Sequence, residues 1–169
     1  MVLSFKVSNS QRVGLIAALL IVIVAAAVLL TGGSNGSKQA KAPTSCGPYR
    51  NDKTVRMSGQ VFKAETPYNQ AAFDRGLGGR PCILSDEAML FPFSQAGQHY
   101  FWMKGMKFPI DILWINVNKQ VVAVNINVQP SSYPNRYVNP ASQPAQFVME
   151  IKANRAKELN VGLGTPVSF

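Results

Sequence analysis

From residue 54 onward the chain is a series of short apolar runs separated by turn residues, the pattern of strands rather than of long helices. Residues 54–64 alternate enough for a strand, or a hairpin-like pair bent at Gly59. Thr66 and Pro67 make a helix start, Thr66 as N-cap and Pro67 in the first helical position. That helix is expected to run through residues 68–75 and to end at Gly76 or Gly78. Residues 88–93, 100–103 and 110–117 read as strands. Asn118 and Lys119 supply a hairpin turn, Asn118 tolerating positive φ. The return strand, residues 120–128, places Val122, Val124, Ile126 and Val128 on one face. Residues 130–144 are irregular, 146–151 resume a strand, 153–159 give one or two helical turns, and 167–169 close. The expected fold class is α+β: a β-dominated compact antiparallel sheet or small barrel with two short helices and no βαβ rhythm. Residues 54–169 are long enough to bury one core.

The amino-terminal third has a different pattern. Residues 13–30 are apolar throughout and, as a helix, would span roughly 27 Å, close to the hydrocarbon thickness of a bilayer. A core helix normally keeps a polar face, and this segment has none. A signal peptide would carry its small-residue cleavage site after the apolar region, whereas the alanines at 25–27 lie inside it. The expectation is a single uncleaved transmembrane anchor at residues 13–31, after a cytoplasmic tail at 1–12. Lys6 and Arg12 precede the anchor without an acidic residue, which favours a cytoplasmic amino terminus and a domain outside the cytoplasm. Residues 32–53, rich in Gly, Ser and polar side chains, read as a flexible linker to the domain at 54–169.

The net charge of +9 comes from 17 Lys and Arg against 8 Asp and Glu. The excess is scattered rather than gathered in a stripe, so nucleic acid is not an expected partner. Cys46 and Cys82 lack the close spacing of a zinc or redox pair. Two unrelated thiols are the favoured reading; a bridge pinning linker to domain is the alternative in an oxidising compartment.

Five blocks carry a family resemblance: Gly76-Leu77-Gly78-Gly79-Arg80, Met89-Leu90-Phe91-Pro92-Phe93, Phe101-Trp102-Met103-Lys104-Gly105-Met106, Pro109-Ile110-Asp111-Ile112 and Phe147-Val148-Met149-Glu150. With them, residues 54–169 resemble the family catalogued as domain of unknown function 192, small proteins mostly of bacteria and archaea. The resemblance implies a compact, mainly β fold and frequent export or anchoring, and no agreed reaction. Two positions depart from the family pattern: Ala88 stands where glycine is usual, and Thr165 where an aspartate often follows Gly164.

Charges inside apolar sequence are costly unless paired or used, which singles out Lys104 and Asp111. In one reading they form an ion pair that fixes the register between strands 100–103 and 110–117. In the other, Asp111 orients Lys104 as a ligand-binding lysine beside an aromatic wall of Trp102 and Trp114. Arg80 and Glu150 form a second set. Either Arg80 bridges Glu150 or Asp111, or Arg80, Trp102, Lys104, Asp111 and Glu150 surround one pocket for an anionic or polyhydroxyl ligand. His99 is the only histidine, and no metal or cofactor is expected.

The leading functional expectation is a non-enzymatic binding module, membrane-attached through residues 13–31, for a small polar, anionic or envelope-derived ligand or an envelope protein. The alternatives are a cell-wall or glycan hydrolase using Asp111 or Glu150 as acid or base, and a structural partner in a membrane complex. An exposed apolar patch around residues 101–106 would favour the last.

Overall fold

The computed structural model describes residues 45–169. The expected tail, the anchor and the linker up to residue 44 lie outside the described residues. Among the described residues, no helix is long and apolar enough to cross a membrane.

Nine strands and two short helices make up the domain. In chain order they are β1 (Lys53–Met57), β2 (Gln60–Glu65), α1 (Gln70–Arg75), β3 (Glu87–Gly97), β4 (Tyr100–Trp102) and β5 (Ile110–Ile115), followed by β6 (Val121–Val128), β7 (Arg136–Val138), β8 (Ala145–Lys152), α2 (Arg155–Glu158) and β9 (Val167–Ser168). Seven strands form one sheet in the order β6-β5-β8-β3-β2-β1-β9, while β4 and β7 pair apart from it. The sheet curls until its ends meet: Gln120 bridges Pro166, and Val167 N–H donates to the Lys119 carbonyl at 2.8 Å. A β-dominated curled sheet with two short helices is thus what the strand pattern called for. One pairing departs from it. β2 and β3 run parallel, Ala64 opposite Ala88, because the connection between them carries α1 over the face of the sheet and returns the chain in the same direction. A six-residue helix is too brief for its periodicity to announce a crossover.

The period-two alternation of the strands divides the apolar residues between two faces. Phe62, Leu90, Leu113, Met149 and Ile151 fill the concave interior. Phe91, Ile112, Trp114 and Val148 point the other way, where Leu77, Phe101 and Met103 cover them. Strand β5 is buried along its whole length, as expected of a strand with a core on either side.

β6 does not keep the single face expected of it. Ile110 lies opposite Val128 but Ile112 opposite Asn125, so an extra residue bulges out of β6 there. The bulge reverses the alternation and leaves Ile126 exposed. At the β5–β6 hairpin the left-handed residue is Lys119 (φ 59°), not Asn118. Its ammonium nitrogen lies 3.4 Å and 3.6 Å from the ring centroids of Phe147 and Phe169, a cation–π contact that accompanies the unusual backbone. Helix α1 starts later than Thr66: Asn69 is the N-cap, its side chain accepting from Ala72 N–H at 2.8 Å.

Residues 45–52, within the stretch read as linker, pack on the domain. Cys46 is bonded to Cys82, so the two cysteines are a bridge rather than unrelated thiols. Their Cα atoms are 5.2 Å apart, a proximity created by the fold across 36 residues and invisible in the spacing. Beyond the bridge, the Tyr49 hydroxyl donates to the Ala88 carbonyl and Arg50 N–H donates to Glu65 at 2.6 Å.

Candidate functional site

Glu150 lies on β8, an interior strand of the sheet, with Met89 of β3 on one side and Ile112 of β5 on the other. Alternation along β8 sends Met149 and Ile151 into the concave core and turns Glu150 to the opposite face. A carboxylate there would be an error in a core; here it faces a pocket of about 150 Å³. Glu150 is only 4% exposed, and its Oε2 has no hydrogen-bond partner. Burial pushes its carboxyl up from 4.5 to about 8, with the Leu77 backbone N–H pulling the other way. At neutral pH Glu150 therefore holds its proton.

The walls around Glu150 are aromatic. Phe73 of α1, Phe91 of β3 and Phe101 of β4 meet edge to face, with centroids 5.2 Å and 4.9 Å apart, and Trp102 continues the wall to the surface. Arg75 and Lys104 stand at the rim. The four ion pairs among the described residues include neither of them, nor Glu150. Lys104 instead lies over the Trp102 ring, 5.5 Å from its centroid, and Arg136 covers the same ring at 5.4 Å.

The loop after α1 closes one side of the pocket and depends on its glycines. Gly76 has φ 53°, and a Cβ there would sit 3.4 Å from Phe91 and 3.5 Å from Glu150 Oε2. Gly78 is tighter: a Cβ would meet the Arg75 carbonyl at 2.8 Å and the Lys104 carbonyl at 3.1 Å. The loop is thus laid directly on the turn that carries Lys104, and Gly79 N–H donates to the Gly105 carbonyl at 2.9 Å. The helix C-cap read from Gly76-x-Gly-Gly has this second use.

Asp111 belongs elsewhere. It is on the strand next to Glu150 but one residue out of phase, so it turns to the concave face and is fully buried. Oδ1 accepts from Asn127 and Asn154 N–H, both at 2.8 Å, and Oδ2 from Ala156 N–H at 2.7 Å. These three donors stabilise the charge inside the core, and Asp111 in turn pins the β6 bulge and the start of α2. It therefore neither pairs with Lys104 nor orients it. The expected meeting fails because β4 leaves the main sheet to pair with β7. Trp114 is likewise buried, its Nε1–H donating to the His99 carbonyl at 2.9 Å, so it forms no wall with Trp102.

Arg80 bridges Glu65, not Glu150 or Asp111. It lines a wider cleft of about 510 Å³ with Arg50, Arg75 and Tyr68, on the other side of the glycine loop from Glu150. Of the residues singled out from sequence, the structure gathers Trp102, Lys104 and Glu150 in one pocket and separates Arg80 and Asp111 from it. Phe73, Phe91, Phe101 and Arg75 were missed. Three of the blocks carrying the family resemblance converge on Glu150, and that convergence was the available signal.

Other polar groups are structurally engaged. His99 stacks on Phe93 with centroids 3.4 Å apart, and burial lowers its pKa. Thr165 accepts from Gly162 N–H at 3.0 Å, a turn-closing contact that an aspartate could make equally well. Among the described residues no group of three or more His, Cys, Asp or Glu is placed to hold a metal ion.

The curled sheet and its covered outer face define a small β-dominated domain with a buried carboxyl, one of whose oxygens is unpartnered, in an aromatic pocket. Residues 53–169 match the model of the DUF192 family, described as Uncharacterized ACR, and the chain belongs to that family. No curated protein matches the sequence. Among solved structures, a Sinorhizobium meliloti 1021 protein described as a proposed transcription regulator is similar at 26% identity and a TM-score of 0.63. That match covers 72% of this chain and 97% of the other. A protein of unknown function from Novosphingobium aromaticivorans DSM 12444 is similar at 27% identity and a TM-score of 0.61, over 69% of this chain and 84% of the other.

Proposed function

We propose that the domain is a non-enzymatic binding module, attached to the membrane through residues 13–31 and facing outward from the cytoplasm, which takes a small polar ligand into the Glu150 pocket. The observation that carries this reading is the buried carboxyl oxygen of Glu150, which has no protein partner and faces open volume. Leaving such a group unsatisfied costs about 1–3 kcal/mol, which a ligand that supplies the missing hydrogen bond would recover. The volume limits the ligand to about one ring or a few heavy atoms, since a cavity of this size admits benzene in another protein. The Cys46–Cys82 bridge supports an oxidising compartment.

The hydrolase alternative loses its pair of carboxylates. Asp111 and Glu150 point to opposite faces of the sheet, and Asp111 is saturated by backbone donors. Phe101 and Met103 are buried and Trp102 is the large exposed hydrophobic within residues 101–106, which favours a pocket over a broad apolar surface for a membrane complex. Nucleic acid stays outside the reading because the excess positive charge is scattered along the chain rather than gathered in a stripe.

The test is a thermal-shift screen of the full-length protein in detergent against a hydrolysate of bacterial envelope. A dose-dependent rise in melting temperature that disappears in Glu150→Leu is the expected result. Identical melting with and without hydrolysate would overturn the proposal.

A further inference from the structure

The charged side chains around the Glu150 pocket are arranged by depth: Glu150 at the floor, and at the rim Arg75 and Lys104 together with Asp74, whose side chain accepts from Gln70 Nε2 at 2.7 Å. The rim cations and the floor carboxyl do not pair with each other, although they line the same space. A structural ion pair would have closed that gap, so the separation leaves room for a molecule bearing both complementary charges. Phe91, Phe101 and Trp102 line the path between the two ends, and aromatic faces attract an ammonium group. We infer that the ligand of this pocket is a small zwitterion of the amino-acid or betaine type, its ammonium seated on Glu150 between the aromatic rings and its acidic group held at the rim by Lys104 and Arg75. This inference rests on the Glu150 pocket being a ligand site and narrows what the site takes.

The reverse orientation makes less use of the site. A neutral Glu150 carboxyl could donate one hydrogen bond to an anionic group at the floor, but the cations that compensate its charge stand at the rim. At the rim the same group meets two side chains that have no other ion-pair partner among the described residues. Arg75 offers the two-pronged geometry that suits a carboxylate.

Binding in this mode displaces a proton. The empty pocket holds Glu150 as a neutral acid, because burial raises its pKa to about 8. When an ammonium settles against it, the carboxyl O–H bond breaks, the proton leaves to solvent, and the carboxylate pairs with the ligand cation. The charged or titratable groups facing Glu150 are Asp74 and Arg75 from α1, Tyr100 from β4 and Lys104 from the turn after it. Its strand neighbours Met89 and Ile112 are apolar. Affinity should therefore fall about tenfold for each pH unit below about 8, as the proton to be displaced becomes harder to remove.

Isothermal calorimetry on the full-length protein in detergent, at pH 7 in buffers of different ionisation enthalpy, tests this. The probes are glycine betaine, L-alanine and D-alanine, with choline and glucose for comparison. The expected result is saturable binding of a zwitterion with release of close to one proton, lost at least tenfold in Glu150→Gln. Lys104→Met should weaken betaine while leaving choline unchanged. Binding of glucose alone, without proton release, would overturn the zwitterion inference and leave the Glu150 site standing. Equal binding of choline and betaine would overturn the role given to the rim. No binding of any probe, in a protein whose melting temperature also ignores envelope hydrolysate, would overturn both the inference and the function on which it rests.

Discussion

Glu150→Gln should make this protein more stable, by an amount set by pH. In the unfolded chain Glu150 ionises near its ordinary 4.5, whereas in the fold it keeps its proton up to about 8. Below pH 4.5 both states are neutral there, and burial of the carboxyl carries no ionisation cost. Between the two values the unfolded state has released a proton that the folded state retains, so stability declines with rising pH by about 1.4 kcal/mol per unit. The deficit is about 3 kcal/mol at pH 7 and about 5 kcal/mol by pH 8, beyond which both states are ionised and it stays constant. Glutamine has the same shape and no proton to lose. It still buries a polar amide, which costs about 1 kcal/mol, so the net gain expected at pH 7 is about 2 kcal/mol. Urea unfolding of both proteins, with the disulfide intact, should be followed by tryptophan fluorescence at pH 4.5, 6, 7 and 8. Other titrating groups, His99 among them, cancel in the difference between the two curves. Parallel stability profiles across that range would refute the account, because they would mean that Glu150 ionises in the fold as readily as in water. A gain in stability combined with loss of ligand binding would mark Glu150 as a residue kept for function at the expense of the fold.

Asp111→Ala removes the acceptor of three backbone N–H groups and leaves its neighbours facing a gap in the core, and should cost about 3–5 kcal/mol in chemical denaturation; a loss under about 1 kcal/mol would mean those contacts are dispensable. Removing the bridge with Cys46→Ser and Cys82→Ser should cost about 4 kcal/mol for a crosslink spanning 36 residues, without changing ligand affinity at the Glu150 pocket. Gly78→Ala places a methyl against two carbonyl oxygens and should lose about 1–3 kcal/mol in melting experiments. Gly97→Ala, which meets nothing within 4 Å, should stay within about 0.5 kcal/mol and serves as its control.

The strands could be read from the chain because period-two alternation is local, and the hairpin at Ser58 and Gly59 lies where two short runs meet. What sequence reading missed was non-local. Asp111 drew attention as a charge in apolar sequence, but its partners are backbone N–H groups up to 45 residues away, which no pattern of side chains reveals. Arg80 was expected to bridge Glu150 or Asp111 but pairs with Glu65, which becomes adjacent only through the parallel return of β3 that the alternation did not show. The wall formed by Trp102 and Trp114 assumed that β4 and β5 are neighbours; the separate pairing of β4 with β7 removes it. Glu150 was legible for a simple reason. An acidic residue closing an apolar strand is conspicuous in the chain, and the fold leaves it conspicuous in space.

The meeting of the sheet's two ends also bears on how copies of the protein tolerate one another. An open sheet offers a row of unpaired N–H and C=O groups on which another chain can add a strand. Here β9 is two residues long, and the start of β6 is occupied by the bridge between Gln120 and Pro166. Further along β6, the bulge and the left-handed Asn127 break the straight run that an incoming strand would need. Neither end of the main sheet gives a long straight template for an added strand. The same bulge that Asp111 stabilises thus also blunts the β6 edge.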